Sequence, residues 1–215
     1  MKQLLRKIPF LFKCLKIIKI NVSIVVNQLR IKLYVLRCDK LKIVIGASNV
    51  FQKNWCPTDQ ENLNLLSIES FNKLFKSRKI DTILAEHVWE HLTIDEALIA
   101  ANNCYSYILK DGYIRVAVPD GFHPDDKYIE AVDVGGTGLG SDDHKVLYNY
   151  KTLSSVFEEA GFRVNLLEYF DESGNFQQVD WNRDKGMIHR SAKFDERNHL
   201  QPLAYTSIII DAFKI

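Results

Sequence analysis

Acidic residues are almost absent from the first 42 positions. Eleven Lys and Arg stand there against Asp39 alone, a net of +10, while the rest of the chain carries −9. An acidic body with no aromatic–basic platform argues against nucleic-acid binding, whereas a basic arm on such a body suits an anionic surface. The arm also lacks a long apolar run. Its longest uncharged stretch, 20–29, falls far short of the ~20 residues a spanning helix needs. Lys13, Lys16 and Lys19 break any signal-peptide core, and no small-residue cleavage site follows, so a cleavable leader is not expected. Cysteine is sparse and unpatterned: Cys14, Cys38, Cys56 and Cys104 form no CxxC pair, so the expected setting is reduced and cytoplasmic. Repeats and low-complexity tracts are missing.

The arm carries a stripe. Leu4, Ile8, Leu11, Leu15, Ile18, Val22, Val25 and Leu29 recur at spacings of four and three, one face of a helix, with most lysines off that face. Residues 1–39 read as a basic amphipathic arm, lying on a membrane surface or packed on protein. The β-branched run at 22–26 argues against helix there.

From residue 40 the rhythm becomes α/β. Apolar runs at 41–46, 64–68, 80–87, 113–120, 162–170 and 204–215 predict strands. Helical spacing predicts helices over 67–79, 93–110 and 150–162; the second opens on Thr93 with Glu96 three residues on, a capping box. Such alternation implies a parallel sheet covered by helices on both faces. The final two strands lack a helix between them and suit an antiparallel pair. Residues 171–200, polar and charged, read as an excursion between those strands rather than a second domain.

Ligands of open α/β sheets bind at the carboxyl ends of the strands. That points to IGASN (45–49) after the first strand, with Gly46, Ala47 and Ser48 small enough for close approach. Asp59 follows soon after, an acid able to accept from a ribose diol, and its nearness leaves little room for a first helix. VGGTGLG (134–140) is richer in glycine, but no strand runs into it; it reads as a substrate-side loop or a turn cluster. HVWEH (87–91) matches the inverted zinc-hydrolase pattern. That pattern needs both histidines on one helix, yet His87 ends a strand, and no third ligand is evident from spacing, so no metal is expected. A metal hydrolase is a minor alternative.

Taken in order, IVIGASN, Asp59, IDTILAEHVWEHL, LKDGYIRVAVPDG and the AGF before the sixth strand resemble the class I S-adenosylmethionine-dependent methyltransferases. The likeness is nearest to a bacterial family of predicted methyltransferases with EHVxEHL, PDG-x-HPD, GGTGxG-x-DDHK and a YTS-bearing last strand. It covers roughly residues 40–215. It implies a Rossmann-like, mostly parallel seven-stranded sheet with an antiparallel last strand, and S-adenosylmethionine as cofactor. By position, Gly46, Ala47 and Ser48 would line its methionine end. Asp59 would hold the ribose, Ile68 and Glu69 would flank the adenine, and Glu86 and His87 would border the sulfonium. Ser48 departs from the family, whose loop has a second glycine there. His87 and His144 are the expected proton acceptors, with Asp142 or Asp143 orienting His144; His123 and Asp120 rank lower, and His123 reads better as structural. The expected acceptor is a small molecule, a sugar, or a glycan or lipid precursor. A non-catalytic cofactor-binding or scaffold protein is the alternative. The arm, 1–38, would then touch the inner membrane face peripherally.

Overall fold

The computed structural model describes residues 24–48 and 51–215. The chain divides into two compact units, Met1–Cys38 and Asp39–Ile215. In the first, residues 24–37 are helical (α1), so the β-branched residues Ile24, Val25 and Val26 do not interrupt it. Val25, Val26, Leu29, Leu33 and Leu36 are exposed along α1. The earlier members of the stripe, Leu4 to Val22, lie outside the described residues. No described helix is long and apolar enough to cross a membrane.

The second unit is built on one seven-stranded sheet. Its strands are β1 (Lys42–Ile45), β2 (Cys56–Thr58), β3 (Ile80–Glu86), β4 (Ile108–Pro119), β5 (Arg163–Phe170), β6 (Phe176–Gln178) and β7 (Ser207–Phe213), in the order β2-β1-β3-β4-β7-β5-β6. β2, β1, β3 and β4 pair in parallel. β7 runs antiparallel between β4 and β5, and β6 folds back antiparallel on β5. The mostly parallel sheet with its reversed last strand is therefore present.

Two of these strands, β2 and β6, were not expected, and one expected strand is absent. Residues 64–68 are not a strand. Asn64 Oδ1 accepts from Leu66 N at 2.9 Å, making a tight turn, and Ser67 then caps α2 (Ile68–Phe75) by accepting from Ser70 N. The sheet is completed instead by β2 at one edge and by β6, inside the polar excursion, at the other. Between β1 and β2 the described residues form no helix, which the early Asp59 had indicated.

Helix α3 (Ile94–Tyr107) carries the capping box: Thr93 Oγ1 accepts from Glu96 N at 3.3 Å, and Glu96 Oε2 accepts from Thr93 N at 2.9 Å. It stops short of residue 110 because Ile108 already pairs with Ile80 in β4. A short α4 (Asp126–Val132) follows β4, and α5 (Tyr150–Glu159) ends before Gly161, whose φ of +96 suits glycine. α3 touches α2, α5 and β4, so these helices share one face of the sheet.

The other face has a different cover. Val44, Leu84, Ala117, Leu167 and Ile209 project from five strands into one cluster with Trp55 and Ile188, against which Trp181 packs. Here a strap, residues 181–197, stands where a helix would. Buried charges of the sheet hold it. Arg115, 1% exposed, forks onto Asp211 at 2.7 and 2.8 Å and donates through Nη1 to the carbonyls of Gly186 and Asn182. Glu168 accepts from Ala192 N at 2.8 Å and from Trp181 Nε1 at 2.7 Å. Burying charge is unfavourable unless it is paired and hydrogen-bonded. Each of these partners belongs to the strap or to the facing strand, so strap and sheet order one another.

Candidate functional site

A cavity of about 750 Å³ opens at the carboxyl ends of β1 and β3. That volume lies within the ~300–1,000 Å³ typical of small-ligand sites.

Its first wall is the β1 loop. Gly46 has φ +62, and a Cβ there would stand 2.6 Å from Val88 Cγ2, so both conformation and space favour glycine. Ala47 N donates to Thr58 O at 3.0 Å and Ser48 N donates to Asp59 Oδ1 at 2.8 Å. Ser48 holds φ +47, the backbone that a glycine usually supplies. Asp59 thus fixes the loop from behind. Asp59 itself is not in the cavity wall, and neither are Ile68 and Glu69, which begin α2. Asn49, the last residue of IGASN, lies outside the described residues.

The second wall gathers titratable groups. His87 follows β3 with φ +56, its N–H donating to Ala117 O of β4 at 2.8 Å. Two non-glycine residues in left-handed backbone, Ser48 and His87, therefore flank one cavity on neighbouring strands. Strain of this kind, ~1–3 kcal/mol each, collects at functional sites. Both His87 ring nitrogens have protein neighbours: Nδ1 lies 3.1 Å from Glu90 Oε1, and Nε2 lies 3.1 Å from Ser207 Oγ. Of the two contacts only the one at Nε2 is a hydrogen bond. His144 differs. Its Nδ1 lies 2.8 Å from Val132 O, a contact only an N–H can make, so Nε2 keeps its lone pair. The expected partner, Asp142 or Asp143, does not orient it; Asp143 Oδ1 stands 2.8 Å from His91 Nδ1 instead.

Of HVWEH, His87 ends the strand and Trp89–His91 form a 3₁₀ turn, so its two histidines do not share a helix. Glu90 and His91 nonetheless come together with His144, their donor atoms within 4.8 Å of one another. Lys145 N donates to Glu90 O at 2.7 Å, which locks the two segments side by side. Burial, aided by the Glu90 charge, raises the Tyr148 phenol above its ordinary value.

The strap closes the third side with His189, Arg190, Asp195 and Arg197. Glu86, at the end of β3, accepts from Arg190 N at 2.7 Å and His189 N at 3.1 Å, and its Oε2 lies 3.2 Å from His189 Nδ1. Burial pushes the Glu86 carboxyl up, but these hydrogen bonds together outweigh it and hold it below its ordinary value. The Glu86 carboxylate raises His189 in turn. These strap residues escaped the sequence reading, because nothing in their spacing marks them.

His123 and Asp120 are structural. His123 accepts from Asp125 N at Nδ1, reaches Leu203 O with Nε2 and stacks on Tyr128, with centroids 3.9 Å apart. Asp120, fully buried, accepts from Phe122 N and Phe170 N, and burial raises its carboxyl to about 6.

VGGTGLG turns inward on α4. Thr137 N donates to Glu130 O and Gly138 N to Ala131 O, and a Cβ at Gly138 would stand 2.5 Å from Ala131 O. Its glycines make room for the helix's own last carbonyls, so several of its N–H groups are already spent. Leu139 and Gly140 reach the cavity rim.

No family model matches the sequence, and a comparison with curated proteins gives no match. Among solved structures, the chain is similar to an S-adenosylmethionine-dependent methyltransferase from Archaeoglobus fulgidus, at 16% identity and TM-score 0.47 over 86% of this chain and 92% of that one. It is similar to an O-methyltransferase family protein from Burkholderia thailandensis at 11% identity and TM-score 0.44, over 75% and 59%. PigF with S-adenosylhomocysteine matches at 9% and TM-score 0.43, over 65% of this chain and 51% of that one. The chain thus spans about half the length of PigF.

Proposed function

We propose that this protein is an S-adenosylmethionine-dependent methyltransferase of the bacterial family whose segments its sequence resembles, acting on a small molecule, a sugar, or a glycan or lipid precursor. The observation that carries the reading is the tie between Asp59 and the Ser48 N–H, by which the end of β2 fixes the β1 loop that lines the cavity. The residues fit the cofactor in kind: a glycine in left-handed backbone, two small neighbours, and an acid at the end of the adjacent strand.

In this reading Gly46, Ala47 and Ser48 hold the cofactor against backbone, with Asp59 fixing their conformation. When bound, the cofactor supplies an electrophilic methyl group on sulfur. Methyl transfer then depends mainly on placing the nucleophile in line, which a walled cavity does by orientation. Glu86 spends its hydrogen bonds on the strap and so keeps the third wall in place. His87, bonded to Ser207 through Nε2 and beside Glu90 at Nδ1, braces the end of β3, while His144 presents its Nε2 lone pair on the acceptor side. The arm, 1–38, brings the body to an anionic membrane surface, a suitable address for a lipid-borne acceptor; flotation of the full chain with anionic vesicles at low salt, lost at high salt, tests it.

Calorimetry with S-adenosylmethionine and S-adenosylhomocysteine tests the core of the reading. Saturable binding that weakens in Asp59→Ala supports it, and the absence of binding to either overturns it. Binding without methyl transfer to a panel of sugar and lipid-linked acceptors would favour a non-catalytic cofactor-binding protein.

A further inference from the structure

We propose that Glu90, His91 and His144 form a binding site for a divalent transition-metal ion in the wall of the cavity. This goes beyond the methyltransferase reading and does not rest on it.

Glu90 is 1% exposed, yet neither carboxylate oxygen makes a hydrogen bond. His87 Nδ1 touches Oε1 at 3.1 Å without that alignment. A buried carboxylate so left is costly unless a cation meets it. Two imidazoles face the same point, His144 buried and His91 half-buried, with all three donors within 4.8 Å of one another. Tetrahedral donors ~2.1 Å from an ion stand ~3.4 Å apart, so donors already within 4.8 Å of one another complete the set by a side-chain adjustment. His144 has the hydrogen-bonded outer partner that metal-bound imidazoles have, and His91 has a carboxylate close by that is not aligned as a hydrogen bond. Val132 O takes the His144 Nδ1 proton at 2.8 Å, and Asp143 Oδ1 stands 2.8 Å from His91 Nδ1. The sites are preset by backbone, since Lys145 N and Val146 N both donate to Glu90 O.

Two imidazoles and one carboxylate suit zinc or a neighbouring first-row ion rather than magnesium or calcium, which prefer oxygen. Three protein ligands leave a position open. Because all three line the cavity, that position suits an oxygen donor there, such as the hydroxyl or carboxylate of a bound small molecule. The His144 lone pair is then given to the ion and not to a proton.

The test is zinc titration of the metal-free full chain by calorimetry, repeated with cobalt to read its visible bands. One equivalent should bind. His144→Ala should weaken binding at least tenfold, and Asp143→Asn about 10–100-fold. Asp143 is 64% exposed, so its variant keeps the test valid should His144→Ala fail to fold. His199→Ala, an exposed histidine outside the cluster, should change nothing. The inference fails if no stoichiometric zinc binds, or if His144→Ala and Asp143→Asn bind as wild type does. S-adenosylhomocysteine binding, measured on the same samples, separates this failure from failure of the methyltransferase reading.

Discussion

The two principal walls of the cavity are made of different material. The β1 wall is backbone: a glycine, an alanine and a serine, held by N–H bonds to Thr58 O and Asp59 Oδ1. The β3 wall is side chain: His87, Glu90, His91 and His144, several buried and close together. Small residues with fixed N–H groups bring a ligand close but move no proton. Clustered imidazoles and a carboxylate can take a proton or a metal ion but offer little shape. The division separates holding from reacting, and it predicts that substitutions in the two walls will have separable effects.

The largest effect should come from the β3 wall. His144→Ala is expected to lower methyl transfer about 10²–10⁴-fold, while S-adenosylhomocysteine affinity stays near wild type. Added imidazole restores turnover if His144 takes a proton, and does not if it holds an ion. If the variant instead loses cofactor affinity and keeps turnover on the bound fraction, the two walls are not functionally distinct.

The β1 wall should respond the other way. Asp59→Ala strands the Ser48 N–H and frees the loop, and should weaken S-adenosylhomocysteine binding by about 1–3 kcal/mol. Turnover at saturating cofactor should move far less. Calorimetry beside initial rates separates the two, and an unchanged affinity would overturn the assignment of this loop.

Ser48 gives a smaller and opposite effect. Its φ of +47 costs a residue with Cβ about 1–2 kcal/mol. Ser48→Gly should therefore raise stability by about 1 kcal/mol in thermal unfolding, less the added entropy of the unfolded chain, with cofactor affinity unchanged or improved. A destabilised variant would mean that the serine hydroxyl contributes more than the backbone strain removes.

These walls were unequally legible in the sequence. β1, β3 and β4 announced themselves as apolar runs, because buried parallel strands have little polar surface to show, and β5 and β7 did so by their apolar content although they pair antiparallel. Gly46 and Asp59 followed from the rule about strand ends. β2 and β6 are three residues each and are fixed by partners rather than by pattern. At 64–68 the apolar residues suggested a strand, but Asn64 and Ser67 make a turn and a helix cap there, and local side-chain bonds prevailed. His144 was named from its neighbouring acids, although a carbonyl of α4 orients it. The strap was hidden altogether. His189 and Arg190 reach the site through Glu86, more than a hundred residues earlier in the chain, and no periodicity records such a contact.

The strap wall supplies the smallest expected effect, a pH dependence. The Glu86 carboxyl is held below its ordinary value of 4.5, so its contribution to stability is present above 4.5 and is lost as pH falls through the lowered value. The His189 imidazole is held above its ordinary value of 6.5, so its contribution is present below 6.5 and is lost as pH rises through the raised value. Both are therefore in force between about pH 4.5 and 6.5, and the strap should be fastened most firmly there. The His189 side chain is 51% exposed, so water screens the pair and the change should be modest. Hydrogen exchange at the Arg190 amide, compared at pH 6 and pH 8.5 after correction for intrinsic rates, reads the fastening directly. Protection should fall on going to pH 8.5 in the wild type. His189→Ala should abolish that fall, since the Arg190 N–H bond to Glu86 does not titrate in this range. Equal protection at both pH values in the wild type would show that the backbone bonds alone hold the strap, and that the imidazole adds nothing to the third wall.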